Sequence, residues 1–280
     1  MTLLLEHRAE RVFHGLLDGL LRHTAPDGRC HASFRQVGAE TGRMSCGTPN
    51  LQNVPVSDLR ARFVVAAPPG RALVGCDLDN VELRVLAAYA PGGKLAESFA
   101  GGADLHARTA ERFGITRELA KTLNFGCLYG AGAPRVGQIL GIDSKAAQEV
   151  RDQWWRLWPE IGHLKAGLGR AIRRRGYLQT AGGRRHHTDK PNHMTLNYLI
   201  QGSASDLFKA AVVELHARSL EMILFIHDEI VAEVDEDQAE ETGRVLEEVM
   251  ARDFGPIRNL KAEATIGKRW SDLKQPGYVP

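Results

Sequence analysis

Cysteine is scarce, aromatic residues are few at 6%, and neither sign of charge dominates this chain of 280 residues. The four cysteines, Cys30, Cys46, Cys76 and Cys127, are widely spaced and include no Cys-x-x-Cys pair. That excludes a disulfide framework and a cysteine-rich zinc site, and leaves free thiols in a reducing compartment. A net charge of +2 means that composition alone does not announce a nucleic-acid partner. Long apolar runs are missing too. Leu3–Leu5 is cut off by Glu6, His7 and Arg8, too short and too charged for a secretory signal, and no stretch approaches the length of a membrane span. A cytoplasmic protein with no membrane contact is expected. Neither a repeat nor a low-complexity tract is present. What is there is ordinary for a globular chain, 43% hydrophobic and 25% charged, and long enough for one large domain or two modest ones.

Periodicity supplies the elements. Residues 3–23 read as a helix with Leu4, Leu5, Val12, Leu16, Leu17, Leu20 and Leu21 on a broad apolar face. After the Pro26-Asp27-Gly28 break, the polar segment to Val54 suggests short strands and loops. Ala72–Cys76 reads as a buried strand ending at Asp77, followed by a helix capped by Asp79 or Asn80. Helices are expected at about 104–113, 116–130, 144–157, 160–175, 195–219 and 237–253. Trp154, Trp155 and Trp158, near Pro159, are expected to serve packing. Met222–Ile226 and Ile230–Val234 are β-rich runs parted by His227-Asp228-Glu229, a hairpin signal, and a last strand is expected near 260–266. Helices mixed with antiparallel hairpins predict an α+β fold.

Three constellations carry chemistry. Arg117, Lys121, Phe125 and Tyr129 recur every fourth residue, so each lies about 40° round a helix from the last. Two cations followed by two aromatics on one face suit a triphosphate and then a sugar and base. An amphipathic helix with a solvated basic edge would look the same. Asp77 at a strand end and Asp228 at a hairpin tip can hold Mg²⁺, a hard cation that keeps positions for water and phosphate oxygens. Glu229 adds charge beside them. A helix cap and a polar turn are the plainer readings. Finally, Asn197 and Gln201 share a helical face, and Asn50, Gln52 and Asn53 cluster after Thr41-Gly42-Arg43. Amides can donate to the acceptors that every base pair presents in the minor groove, although isolated amides more often make ordinary polar surface. The basic clusters Arg170–Arg175 and Arg184–His187 give weak support for a phosphate track.

Taken in order, these segments resemble the characteristic blocks of family A DNA polymerases, the bacterial DNA polymerase I and related phage enzymes. The blocks are Thr41-Gly42-Arg43 with Pro49-Asn50-Leu51-Gln52-Asn53, Asp77 with Glu82-Leu83-Arg84, Arg117-x3-Lys121-x3-Phe125-Gly126-x2-Tyr129-Gly130, Gln201-Gly202-Ser203-Ala204-x-Asp206, and His227-Asp228-Glu229. The resemblance runs from about Leu3 to Trp270. It implies a right-hand polymerase core, an antiparallel palm sheet carrying the catalytic carboxylates (1–90 with a thumb remnant, and 195–280) and helical fingers (91–194). Asp77 and Asp228 would hold two Mg²⁺ ions, with Mn²⁺ as a substitute, and Glu229 would be accessory. Arg117, Lys121 and His106 would hold the incoming deoxynucleoside triphosphate, with Lys121 also the acid for the leaving pyrophosphate. Phe125 would pack on sugar and base, and Tyr129 would stand near the templating position against Glu82. Glu82 would crowd the sugar 2′ position. Arg43, Asn50, Gln52, Asn53, Asn197, Gln201 and His227 would line the primer–template DNA.

The chain departs from the family pattern at Leu78-Asp79-Asn80, where the family has Tyr-Ser-Gln, so Asp79 adds a carboxylate near the metal site. Almost no thumb precedes the palm, which implies weak processivity unless a partner protein supplies the grip on the duplex. Template-directed addition of deoxynucleotides to a primer is the expected function. A specialised or template-independent nucleotidyltransferase on the same core, and a non-catalytic nucleic-acid-binding module, are the alternatives.

Overall fold

The computed structural model describes residues 2–55, 59–100, 104–188 and 190–274. The chain divides into two compact units, one of Met1–Asp79, Phe208–Arg252 and Leu260–Pro280, the other of Asn80–Leu207 and Asp253–Asn259. The mixture of helices and antiparallel sheet is the expected α+β fold. Among the described residues no helix is long and apolar enough to cross a membrane.

Four antiparallel strands organise the first unit, in the order Met222–Ile226, Glu229–Asp235, Arg71–Leu78, Ala262–Gly267. The expected strand at Ala72–Cys76 is buried at every one of those positions, because both faces of the sheet are covered. On one face lies helix Ala239–Met250, which buries Leu246, Val249 and Met250. On the other, Trp270 and Leu273 of a 3₁₀ turn close over a core of Val54, Ala61, Leu73, Leu224 and Val231. Continuous apolar runs, rather than alternating ones, are what such a doubly covered strand needs.

Gly75 is the tight point of this packing. A Cβ there would stand 2.9 Å from Leu273 Cδ1 and 3.3 Å from Glu229 Oε1, so only glycine leaves room for both neighbours. Farther along the sheet, buried Glu233 accepts two hydrogen bonds from Arg29, at 2.9 and 2.7 Å, which tie the segment after the first helix to the strand.

That first helix, Thr2–His23, has the expected extent. Its buried stripe is narrower than expected. Phe13 and Leu16 pack on the core and Leu20 is buried, whereas Val12 and Leu21 are 54% and 73% exposed. The stripe uses spacings of three and four residues, and the two exposed positions fall outside it. The side chains of Leu4 and Leu5 lie outside the described residues. The loop region that follows holds the short pair Ser33–Arg35 and Ser45–Gly47 and a 3₁₀ turn at Leu51–Asn53. A one-turn helix, Arg60–Phe63, is too short to have a legible period.

The second unit is mainly helical. The four helices expected between residues 104 and 175 are Leu105–Phe113, Arg117–Leu128, Ser144–Leu157 and Pro159–Arg175. Asp104, Thr116 and Asp143 cap the first three with their side-chain oxygens, and Gly114, Gly141 and Gly176 take the left-handed position that ends helices Leu105–Phe113, Ala133–Leu140 and Pro159–Arg175. Helix Val81–Tyr89 starts from Asn80, one of the two capping residues expected, which has φ 50° and makes no side-chain capping bond. Helices Lys94–Ala100 and Ala133–Leu140 and the hairpin Tyr177–Gln179/Arg185–His187 go beyond the sequence reading. Trp154 and Trp158 are buried, in the packing role expected of them. The long helix Thr195–Ala217 begins in this unit and ends in the first.

Gly75→Ala should lower the stability of the chain by about 1–3 kcal/mol, the usual result of forcing a methyl group into a filled core. Urea denaturation measures it, and an unchanged midpoint would show that the strand does not need glycine at this position.

Candidate functional site

The sheet register decides where the acidic residues lie. Asp77 pairs directly with Glu229, and Glu229 pairs on its other side with Ile226. His227 and Asp228 are therefore a two-residue turn, and Glu229 belongs to the strand rather than to the connection expected for it. His227 has φ 55°, uncommon for a residue with a side chain. The Leu78 amide donates to the Asp228 carbonyl at 3.2 Å, which fastens the turn beside the strand end that carries Asp77. Asp77, Asp228 and Glu229 thus come to one end of one sheet.

Two cations that the sequence did not single out act on these acids, Lys274 by contact and Arg62 through its charge alone. Lys274 Nζ is 3.1 Å from Glu229 Oε2 and 3.5 Å from Asp77 Oδ2. The lysine and Glu229 side chains are nearly buried, whereas that of Asp77 is 32% exposed. Arg62 is fully buried, stacked with its Cζ 4.5 Å from the Trp270 ring centre, and donates from Nη2 to the Val54 carbonyl at 3.2 Å. Burial pushes the Glu229 carboxyl up, with Lys274 opposing, Asp77 adding to the rise and Arg62 opposing it. Burial likewise pulls the Arg62 guanidinium down, against the pull of Glu229 and Asp77. The donors at this rim are hard oxygens and one of the acids reaches solvent, which fits Mg²⁺ held by few carboxylates. Among the described residues no group of three or more His, Cys, Asp and Glu side chains is placed to hold a metal ion. Neither Lys274 nor Arg62 sits in a local motif that would mark it, since both arrive by tertiary packing.

In the second unit the four-residue rhythm persists almost to its end. Helix Arg117–Leu128 stops one residue short of Tyr129, which is its C-cap, yet the Tyr129 amide still donates to the Phe125 carbonyl at 2.9 Å. The Phe125 and Tyr129 rings stack with centroids 5.8 Å apart, and the His106 ring lies 5.8 Å from Phe125, tilted at 46° to it. Arg117 donates from Nε to Asp104 at 2.5 Å. For Asp104, burial pushes the carboxyl up, but Arg117 and the amides of Ala107 and His106 outweigh it and hold the group below its ordinary range. His106 is buried among polar side chains. Burial pulls its imidazole down from the ordinary 6.5 to about 4, with Asp104 opposing and Arg117 and Lys121 adding to the fall. Glu82 is buried in the first turn of helix Val81–Tyr89.

The amides divide between the units. In the first, Asn50 caps the 3₁₀ turn by accepting from the Gln52 amide at 3.1 Å, and Gln52 Nε2 donates to the Phe225 carbonyl at 3.0 Å. These bonds hold the turn, with exposed Asn53, on the strand that leads into His227. Lys209 donates to the carbonyl of Gly42 at 2.5 Å, next to Arg43. The His227 imidazole is pulled down by burial and by Arg43, with Asp77 opposing. In the second unit Asn197 is buried, its side-chain oxygen without a hydrogen-bond partner among the described residues, and Gln201 follows one helical turn later.

Comparison with known proteins adds context to this geometry. The sequence pattern of DNA polymerase family A matches residues 1–272. The thermostable DNA polymerase I of Thermus filiformis is 36% identical, over 92% of this chain and 34% of its own length. DNA polymerase I of Chloroflexus aurantiacus is 35% identical, over 88% of this chain and 29% of its own. The chain therefore spans about a third of the length of these relatives. Among solved structures, the POL domain of Pol1 from M. smegmatis, in complex with DNA primer-template and dNTP, superposes with a TM-score of 0.87. It is 29% identical, and the match covers 96% of this chain and 53% of that one.

The depressed His106 value carries a stability consequence. Between pH 6.5 and about 4 the unfolded chain binds a proton at this residue that the folded chain does not. Stability from this source is present above pH 6.5 and is lost as pH falls towards 4. His106→Gln should flatten the fall of the urea midpoint across that window. Identical pH dependence in parent and variant would contradict the assignment.

Proposed function

Since the chain belongs to DNA polymerase family A, we propose that it adds deoxynucleoside triphosphates to the 3′ end of a primer paired with a DNA template. The observation that carries this reading is the register that sets Asp77 opposite Glu229 and beside Asp228, in a chain whose other unit bears the Arg117–Lys121–Phe125 row. The palm (1–90 and 195–280) and fingers (91–194) subdivision is part of the same proposal.

Asp77 and Asp228 would hold two divalent ions, Mg²⁺ or Mn²⁺, which when bound stabilise the charge of an in-line displacement at phosphorus. In that displacement the primer 3′ hydroxyl gives up its proton to solvent and its oxygen bonds to the α-phosphorus while the bond to the bridging oxygen of the pyrophosphate breaks. Lys121 supplies a proton to the leaving pyrophosphate. Arg117 binds the triphosphate. Its present pairing with Asp104 is half exposed, and such pairs are worth about 0–1 kcal/mol, so the guanidinium is readily given to a phosphate. His106 donates to the same triphosphate, Phe125 carries the sugar and base, and Tyr129 stands at the templating position. Glu82 closes the pocket beneath the 2′ carbon. Arg43, Asn50, Gln52, Asn53, Asn197, Gln201 and His227 read pair geometry along the minor groove without reading sequence.

Asp77→Ala and Asp228→Ala should each abolish nucleotide incorporation while leaving the circular dichroism spectrum nearly unchanged. Incorporation by either variant within a few-fold of the parent would refute the two-carboxylate assignment. Glu82→Ala should lower the ratio of kcat/KM for deoxy over ribo substrates, and an unchanged ratio would remove Glu82 from sugar selection.

A further inference from the structure

Behind the aromatic row lies a buried polar chain that the reading above does not use. His106, Thr109, Asn124 and Trp154 are each at most 2% exposed. Trp154 Nε1 is 2.7 Å from one side-chain atom of Asn124. An indole N–H only donates, so that atom has to be the amide oxygen. The Thr109 hydroxyl lies 3.0 Å from the same oxygen and 3.0 Å from the Leu105 carbonyl, and both are acceptors for its single proton. With its oxygen pinned, Asn124 turns its NH₂ group towards His106 Nδ1, 3.0 Å away. The NH₂ group only donates, so Nδ1 accepts and the imidazole proton sits on Nε2. An imidazolium would set two donors against each other at Nδ1. Among the described residues Nε2 has no hydrogen-bond partner. A buried donor is thus left without an acceptor among the described residues.

We propose that Trp154 and Asn124 are positioning residues that lock His106 as the neutral Nε2–H tautomer, so that it presents a fixed hydrogen-bond donor to the triphosphate. This rests on the reading that His106 meets the triphosphate. The lock leaves the cationic work to Arg117 and Lys121 and makes the His106 contact insensitive to pH near neutrality. Burial acts in the same direction, holding the ring near 4 despite the neighbouring Asp104 carboxylate. Asn124 lies next to Phe125 in the sequence, and Trp154 is one helix away on Ser144–Leu157.

The test is nitrogen NMR of the full chain carrying ¹⁵N-histidine, with the His106 signals identified by their loss in His106→Gln. The parent should show the proton on Nε2 from pH 6 to 8. Asn124→Asp puts an acceptor against Nδ1 and should move the proton there, and Trp154→Phe should mix the two tautomers by freeing the amide to turn. In steady-state extension of a primed template, Asn124→Asp should raise the KM for dATP about tenfold, as expected for loss of a hydrogen bond to a charged group, with a smaller change in kcat. His106→Gln, which keeps a neutral donor, should stay nearer the parent than His106→Ala. A parent spectrum with the proton on Nδ1, or on both nitrogens, overturns the lock without any variant, as does an unchanged tautomer in Trp154→Phe. The proposed tautomer together with an unchanged KM in His106→Ala would overturn the triphosphate contact and leave the lock standing.

Discussion

Like charges gathered at the end of a buried sheet set the terms for everything around them. Two unit charges 4 Å apart repel by about 4 kcal/mol at the effective dielectric of a partly exposed site, and Glu229 adds the penalty of burial. Sliding the strands cannot relieve this, because a shift of one residue would turn the whole inward set of side chains to the other face. The acids are fixed, and the surroundings answer them. Lys274 touches Asp77 and Glu229, Arg62 is buried nearby, and the absent side chain of Gly75 leaves the room that Glu229 occupies. Such a site is held together by the fold's packing and in turn welcomes further positive charge on its solvent side.

The second unit is organised for the opposite charge. Arg117 opens its helix, where the backbone dipole is already positive, a placement that costs about 0.3–1 kcal/mol. Asp104 offsets the cost from a neighbouring helix that it caps itself. An arginine at a helix start is a poor choice for stability and a good one for phosphate. About two turns further along, the polar side chains disappear from solvent and bond to one another, and among the described residues His106 Nε2 is left without a partner.

How much of this was legible in the sequence follows from how local each signal is. The strand at Ala72–Cys76, the Met222–Val234 hairpin and the capped helices between 104 and 175 were readable because period, turn and cap are short-range properties. The Arg117–Phe125 row was readable for the same reason, and Tyr129 kept its place even though the helix stops at Leu128. The exposed Val12 and Leu21 were misread, since hydrophobicity marks a stripe but not its width. Glu229 was assigned to the turn because sequence shows where polarity rises, not which residue resumes pairing. Lys274 and Arg62 were invisible. Lys274 meets Asp77 across 197 positions, Arg62 acts on the acids only through its charge, and a single lysine or arginine looks like any other until the chain has folded. Asn124 lay inside a recognised block, but its purpose needs Trp154, thirty positions away, to fix its orientation.

The central claim is that this chain copies a template rather than merely binding or tailing nucleic acid. Its most direct test offers the purified chain a labelled primer with one deoxynucleoside triphosphate at a time, on templates presenting each of the four bases and on no template at all. Extension by the complementary nucleotide on each template, with none on the unpaired primer, is the predicted result. Extension that ignores the templating base, or proceeds equally without a template, would contradict the account.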